Sequence, residues 1–127
     1  MILYALDRRD RRKSELAEEL LAELAASRLG VISTQIVNEV VSVGLSKYGM
    51  GHIEVVEIVE SMRSFRIVPH NVEMTLAAVE LHEEHAINFW DALIVSAALS
   101  ADCSLLYTED LSHGHKIAGV RIVDPFA

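Results

Sequence analysis

Residues 89–99 read FWDALIVSAAL, a run of helical length that is apolar on every side, and residues 104–110 continue as SLLYTED. A helix that is apolar all round is buried in the interior of a protein. Asp91 stands in the first turn of this predicted helix, where its carboxylate is held close to the core and an unpaired charge is costly. Such a charge is retained where the helix N-terminus, a cation or a hydrogen-bond network stabilises it.

A second acid, Asp110, follows the apolar, strand-like run at residues 104–108. Open α/β sheets bind their ligands outside the carboxyl ends of their strands. Two acids that converge there indicate a divalent-metal site, because carboxylate oxygens suit the hard ions Mg²⁺ and Mn²⁺. Taken singly, Asp91 is explained equally well as a helix cap, and Asp110 as a turn residue.

A third acid, Glu39, lies in the helical segment QIVNEVV at residues 35–41, at the edge of its apolar stripe. A glutamate in that position is more often a surface residue. This helix begins just after a predicted strand, however, so its first turns lie near the carboxyl edge of the sheet. Three acids that each stand at or near a strand–helix junction favour a common site over three independent explanations.

The bulk properties describe one soluble domain that spans residues 1–127. Hydrophobic residues make up 51% of the chain, which argues against disorder. No apolar run reaches the roughly 18 residues that a membrane span needs, and the N-terminus lacks the pattern of a signal peptide. The lone cysteine, Cys103, cannot form an internal disulfide. We therefore expect a cytoplasmic protein.

The net charge of −8 disfavours nonspecific attraction to nucleic acid, but the basic residues are unevenly distributed. Five of the eleven fall in one window: Arg8, Arg9, Arg11, Arg12 and Lys13. Cations in this window would release counterions on contacting RNA phosphates. A solvated helix start that forms ion pairs with neighbouring acids explains the window equally well.

Helical and strand-like segments alternate along the chain. Apolar spacing predicts helices over residues 12–28, from 34 to a stop at 47–49, and over 52–63, 71–85 and 90–101, with Trp90 in the core. Strands are predicted at 31–33, 65–68, 104–108 and 120–123. This alternation predicts an α/β fold with a mostly parallel sheet.

Three blocks of the sequence resemble a known family, and they occur in the family's order. The blocks are ISTQIVNE (32–39), FWDALI (89–94) and YTEDLSHG (107–114). They look like the PIN-domain proteins, and most like the VapC-type toxins of bacterial toxin–antitoxin pairs. The resemblance implies a three-layer sandwich, in which a short, mostly parallel sheet is flanked by helices. It also implies a metal-dependent endoribonuclease with four acids around Mg²⁺ or Mn²⁺.

Carried over by position, Glu39, Asp91 and Asp110 match three of the family's four acids. Glu109 occupies a neighbouring, variable position and is an accessory candidate. Thr108 is a supporting candidate, since its hydroxyl can hydrogen-bond a ligand carboxylate. The resemblance further implies an RNA substrate, an antitoxin protein as partner, and a homodimer.

The fourth acid of the family has no counterpart in this chain. In the family it ends the opening strand, in a run like Asp-Thr-Asn, and an apolar helix follows. Residues 1–7, MILYALD, look like that helix, so we expect the chain to begin after the central first strand and its aspartate. Asp7 does not replace that aspartate, because it lies at the far end of the helix. Met1 is then an internal methionine of a longer natural protein.

The expected reaction is hydrolysis of an RNA phosphodiester by a metal-activated water, with the window at residues 8–13 guiding the RNA. The lack of the first aspartate predicts that this chain is impaired. The alternative is a catalytically inactive PIN-like module, which binds an antitoxin and dimerises. A metal-dependent phosphohydrolase ranks last, because no nucleophilic aspartate follows a first strand.

Overall fold

The computed structural model describes residues 11–127, and for Arg11 it describes the backbone only. The helices are α1 (Arg11–Ser27), α2 (Thr34–Ser46), α3 (His52–Ser61), α4 (Val72–His85) and α5 (Phe89–Ser100), with a 3₁₀ turn at Met62–Ser64. The strands are β1 (Val31–Ser33), β2 (Arg66–Val68), β3 (Leu105–Tyr107), β4 (Lys116–Ile117) and β5 (Val120–Val123). Within this part of the chain, no helix is long and apolar enough to cross a membrane.

Three helices begin at polar residues whose side chains satisfy backbone N–H groups of the first turn. Ser33 Oγ accepts from the Ile36 amide at 3.4 Å and starts α2 directly after β1. Asn71 Oδ1 accepts from the Met74 amide at 2.9 Å at the start of α4. Caps of this kind fix where each helix begins, because the first four N–H groups of a helix have no partner within it.

The strands form two sheets. β1 pairs in parallel with β2, with Ile32 opposite Ile67. β3 pairs in parallel with β5, with Leu106 opposite Ile122, and β4 adds to β5 in antiparallel orientation. The predicted α/β class, with a short parallel sheet flanked by helices, is confirmed. The division into two sheets was not predicted, and neither was β4, whose two residues are too short to give an apolar pattern.

Helix α5 is the interior helix that its sequence predicts. It buries Ala92, Leu93, Val95, Ser96, Ala97 and Ala98, and it packs against α4 and against strands of both sheets. Val95 and Ile122 have no exposed surface. The prediction that Trp90 is core is wrong, because this side chain is 63% exposed. It lies in the first turn, ahead of the buried residues of the helix, which begin at Ala92.

The connection from α1 to β1 depends on the absence of a side chain at Gly30. A Cβ atom built there would lie 2.7 Å from Phe65 Cε1 and 3.1 Å from Leu24 Cβ. The Gly30 carbonyl also accepts from the Arg66 amide at 3.0 Å, which starts the β1–β2 ladder. Close approach of Phe65 at this point therefore sets the distance between the two strands.

We expect Gly30→Ala to lower the free energy of unfolding by about 2–3 kcal/mol, because the new methyl group overpacks against the Phe65 ring. Urea denaturation of the variant and the parent chain measures this. Gly51→Ala is the matched control, since its Cβ would meet nothing closer than Glu54 Oε1 at 3.8 Å. The loss of unfolding free energy in Gly51→Ala should stay below about 1 kcal/mol, which is the usual size of the effect of a substitution at an N-cap. Equal losses in the two variants would contradict the overpacking explanation.

Candidate metal centre at the end of a groove

A groove of about 760 Å³ separates β1 from β3. All residues of both strands line it, together with side chains from α1, α2 and α5. The three acids Glu39, Asp91 and Asp110 line the same groove. Both strands border this groove, so the elements that carry the three acids lie along one cavity.

Asp91 is placed at the groove by the start of α5. The cap of this helix is Asn88, whose Oδ1 accepts from the Trp90 amide at 2.8 Å. The capping explanation for Asp91 is therefore excluded, and its carboxylate is available for another role. Gln35 Nε2 donates to the Trp90 carbonyl at 3.3 Å, so the first turn of α2 lies beside the first turn of α5.

Asp110 is placed by a turn that closes the end of β3. Thr108 donates its amide to the Val123 carbonyl at 3.0 Å, which extends the pairing with β5 by one residue. Its Oγ1 accepts from the Asp110 amide at 3.1 Å. The Thr108 hydroxyl is thus bonded to the backbone amide of Asp110, whereas the sequence predicted a bond to a ligand carboxylate.

Glu39 lies one turn into α2 and is exposed. It lines the groove, although apolar spacing alone assigns it to the edge of the helix's buried face. Because Ser33 caps α2 immediately after β1, the first turns of this helix stay at the carboxyl end of the strand. Glu39 therefore reaches the site from the opposite side of the groove to Asp110.

The carboxylates interact electrostatically. The pKa of Asp91 is raised, first by partial burial and then by the negative charges of Asp110 and Glu39. Desolvation and like charges both disfavour an ionised carboxylate. Among the described residues, however, no group of three or more Asp, Glu, His or Cys side chains lies close enough together to enclose a metal ion.

The donor set fits a hard divalent cation in an open site. Three carboxylates supply oxygen ligands, which Mg²⁺ and Mn²⁺ prefer, and Mg²⁺ commonly keeps several waters and takes only one or two protein carboxylates. A cation among Glu39, Asp91 and Asp110 would also offset the repulsion that raises the pKa of Asp91. The three side chains therefore fit Mg²⁺ or Mn²⁺ by the chemistry of their oxygen ligands.

Glu109 and the basic window meet at the same end of the groove. Lys13 Nζ lies 3.0 Å from Glu109 Oε2, and Arg12 Nη2 donates to the Phe126 carbonyl at 3.3 Å. The start of α1 is thereby fixed beside the loop of Asp110. Of the other predicted RNA contacts, Arg8 and Arg9 lie outside the described residues, as does the side chain of Arg11.

Sequence reasoning missed three groove residues near the acids. Gln35 joins α2 to α5, Trp90 stands exposed beside Asp91, and Tyr107 ends β3 just before the Thr108 turn. The available signal for Trp90 was its place in the sequence. It lies in the first turn of its helix and next to Asp91, where a residue is expected at the opening of the groove. Gln35 carries no such signal, because its role depends on a contact across 55 positions of the chain.

The family model described as PIN domain matches residues 1–116, a range that includes all three acids. No curated protein matches the chain.

We expect the free-energy difference between Asp91→Asn and the parent chain to depend on pH in metal-free buffer. Below the ordinary aspartate pKa the group is protonated in both folded and unfolded chains. As the pH rises the unfolded chain loses the proton first, because the folded pKa is raised, and the parent chain loses stability relative to the variant.

The free energy of unfolding of Asp91→Asn, relative to that of the parent chain, should therefore increase from about pH 4 to about pH 7. Urea denaturation with EDTA at both pH values measures this. Glu57→Gln on α3 controls for the removal of one negative charge away from the groove. An Asp91→Asn difference that is the same at both pH values would contradict the raised pKa of Asp91.

Proposed function

We propose, since the chain belongs to the PIN-domain family, that it is the toxin of a VapC-type toxin–antitoxin pair and acts in the cytoplasm as a metal-dependent endoribonuclease. The family consists generally of nucleases, which typically use divalent metal ions. The observation that carries the proposal is the placement of Glu39, Asp91 and Asp110 at one groove, where partial burial and then the charges of Asp110 and Glu39 raise the pKa of Asp91.

In this proposal the three carboxylates hold Mg²⁺ or Mn²⁺, directly or through waters. The bound ion supplies an acidic, oriented water for attack on the RNA phosphodiester and offsets charge on the scissile phosphate. Of the three, Asp91 is held most firmly, because it lies on the buried helix α5. Asp110 approaches it from the loop after β3, and Glu39 approaches it from α2. Thr108 positions Asp110 through its backbone amide, and Glu109 stays engaged with Lys13.

RNA would approach the acid end of the groove. Arg12 and Lys13 lie there, although both contact protein groups in the described structure. The exposed ring of Trp90 adjoins Asp91 and offers a face on which a base can stack. Whether a fourth acid from an upstream strand completes this site is decided by the cleavage experiment below.

A second candidate is an inactive PIN-like module that binds an antitoxin and dimerises. The observation that favours it is exposed apolar surface on the helices. Val72, Leu76 and Val79 form an exposed stripe on α4, and Leu45, Ile53 and Val56 are exposed on α2 and α3. Such surface is typical of protein interfaces.

Cleavage of a mixed RNA pool in Mn²⁺ or Mg²⁺ tests the nuclease. The chain as given is compared with a version extended upstream by an apolar strand that ends in aspartate. We expect the extended version to cleave, and Asp91→Asn to lower its rate by about 100-fold or more, because several kcal/mol of charge stabilisation are lost.

Glu39→Gln and Asp110→Asn should behave as Asp91→Asn does, whereas Glu57→Gln should leave the rate unchanged. Mn²⁺ should also raise the melting temperature of the parent protein more than that of Asp91→Asn, since binding stabilises the folded state. Absence of both cleavage and the Mn²⁺ shift in the extended version would favour the inactive module.

We expect Trp90→Ala to weaken RNA binding by roughly 1–3 kcal/mol, the usual loss when one stacked base is released. Fluorescence anisotropy of a labelled single-stranded RNA in Ca²⁺-containing buffer measures binding. Trp90→Phe keeps an aromatic face and should retain most of the affinity. Equal losses in both variants would assign the Trp90 side chain a role other than base stacking.

A further inference from the structure

The loop between β3 and β4 carries Asp110 and contacts the end of β5 through the ring of His113. The Asp124 amide, directly after β5, donates to His113 Nδ1 at 3.0 Å. We propose that His113 is a positioning residue for Asp110, because its ring closes the loop on which that carboxylate stands. The inference rests on the proposed function for what Asp110 does, whereas the closure of the loop is argued from its own contacts.

Both sides of the loop are bonded to one peptide unit, the unit that joins Val123 to Asp124. Its carbonyl, on Val123, accepts from the Thr108 amide at 3.0 Å. Its N–H group, on Asp124, donates to the His113 ring. Because a peptide unit is planar and rigid, the two bonds together fix the separation between Thr108 and His113. Asp110 lies between these two residues, so the closed loop determines where its backbone stands.

A tight turn sets the direction in which the His113 ring leaves the backbone. The His115 amide donates to the Ser112 carbonyl at 3.2 Å, so the four residues from Ser112 form a β-turn with His113 in the second position. Gly114, in the third position, has a φ of 81°, as a type II turn requires there. The Gly114 amide donates to the Ile122 carbonyl, and the Ile122 amide donates to the His115 carbonyl, both at 2.8 Å. The turn is therefore held against β5, with the His113 ring beside the residue that follows this strand.

The bond to Asp124 specifies the state of the imidazole. A backbone N–H group can only donate, so His113 Nδ1 accepts through its lone pair and the proton of the neutral ring is on Nε2. An asparagine at this position can also accept, because its Oδ1 is attached to Cγ as Nδ1 is. The amide oxygen of a glutamine is one bond farther from the backbone. His113→Asn and His113→Gln are therefore a matched pair that differs in the place of the acceptor.

Closure of the loop opposes electrostatic repulsion at the groove. Partial burial, and then the charge of Asp110, raises the pKa of Asp91, so the two carboxylates repel each other. A loop that is free on one side would relieve this repulsion by moving Asp110 away. The bond from the Asp110 amide to Thr108 Oγ1 holds the side next to β3. The His113 ring holds the other side, and the two contacts together keep the carboxylate at the groove.

Hydrogen exchange of backbone amides measures this closure without metal or RNA. In metal-free buffer near neutral pH, we expect the Asp124 and Asp110 amides to exchange about tenfold faster in His113→Gln than in the parent chain, because the loop opens more often. In His113→Asn both rates should stay within about threefold of the parent values, since the acceptor is retained. His115→Gln is the control and should leave both rates unchanged, because His115 is bonded to β5 through its carbonyl.

Two further measurements separate positioning from a general loss of structure. Long-range proton–nitrogen NMR spectra of the imidazole near neutral pH should show His113 Nδ1 without a proton. Mn²⁺ should raise the melting temperature of the parent chain and of His113→Asn at similar concentrations. In His113→Gln the same rise should need about tenfold more Mn²⁺, which is the usual effect of losing an outer contact that orients a metal ligand.

Equal exchange rates in His113→Asn and His113→Gln would overturn the proposal, and so would a proton on Nδ1 or equal acceleration in His115→Gln. Faster exchange at Asp124 with an unchanged Asp110 amide would also overturn it, because the bond would then not position the loop. Faster exchange of both amides in His113→Gln alone, without any effect of Mn²⁺ on the parent chain, would uphold the positioning role and contradict the metal-dependent function.

Discussion

The burial of α5 is the constraint on which the rest of the structure depends. Each fully buried aliphatic side chain of this size contributes about 1.5–3 kcal/mol, and Val95 and Leu93 are both buried in the core. Because α5 contacts α4 and strands of both sheets, a shift along its axis would disturb several interfaces at once. The first turn of α5 can therefore move only together with the rest of the helix. The position of Asp91 is therefore set by packing along the whole helix and not by contacts of its carboxylate.

This arrangement holds a charge where electrostatics oppose it. Partial burial and the charges of Asp110 and Glu39 all raise the pKa of Asp91, while the N-terminus of α5 favours the ionised form. Hydrophobic packing thus maintains three acids that repel one another, and they stand too far apart to enclose an ion by themselves. A site of this kind gains more from a cation than a relaxed one does, because binding also relieves the repulsion.

The sequence predicted those features that arise from local patterns. The interior helix, the strands at β1, β3 and β5, and the α/β class all follow from apolar spacing and helix–strand alternation, and the structure confirms them. Trp90 was misplaced because an apolar pattern does not distinguish the first turn of a buried helix from its middle. The Lys13–Glu109 pair and the Gln35–Trp90 bond were not predictable, since each joins residues far apart in the chain. The division into two sheets depends on tertiary geometry alone.

The separation of β1 from β3 also limits where RNA can lie. The middle of the groove is lined by apolar side chains, among them Ile36, Ile94 and Ala98, so a phosphate backbone would approach the acid end from outside. Trp90 and the start of α1 border that end. Arg28 and Arg66 also line the groove, but they lie at the amino ends of β1 and β2. They therefore lie at the end of the groove that is far from the acids. The apolar length of the groove and its acidic end are therefore different surfaces of one cavity.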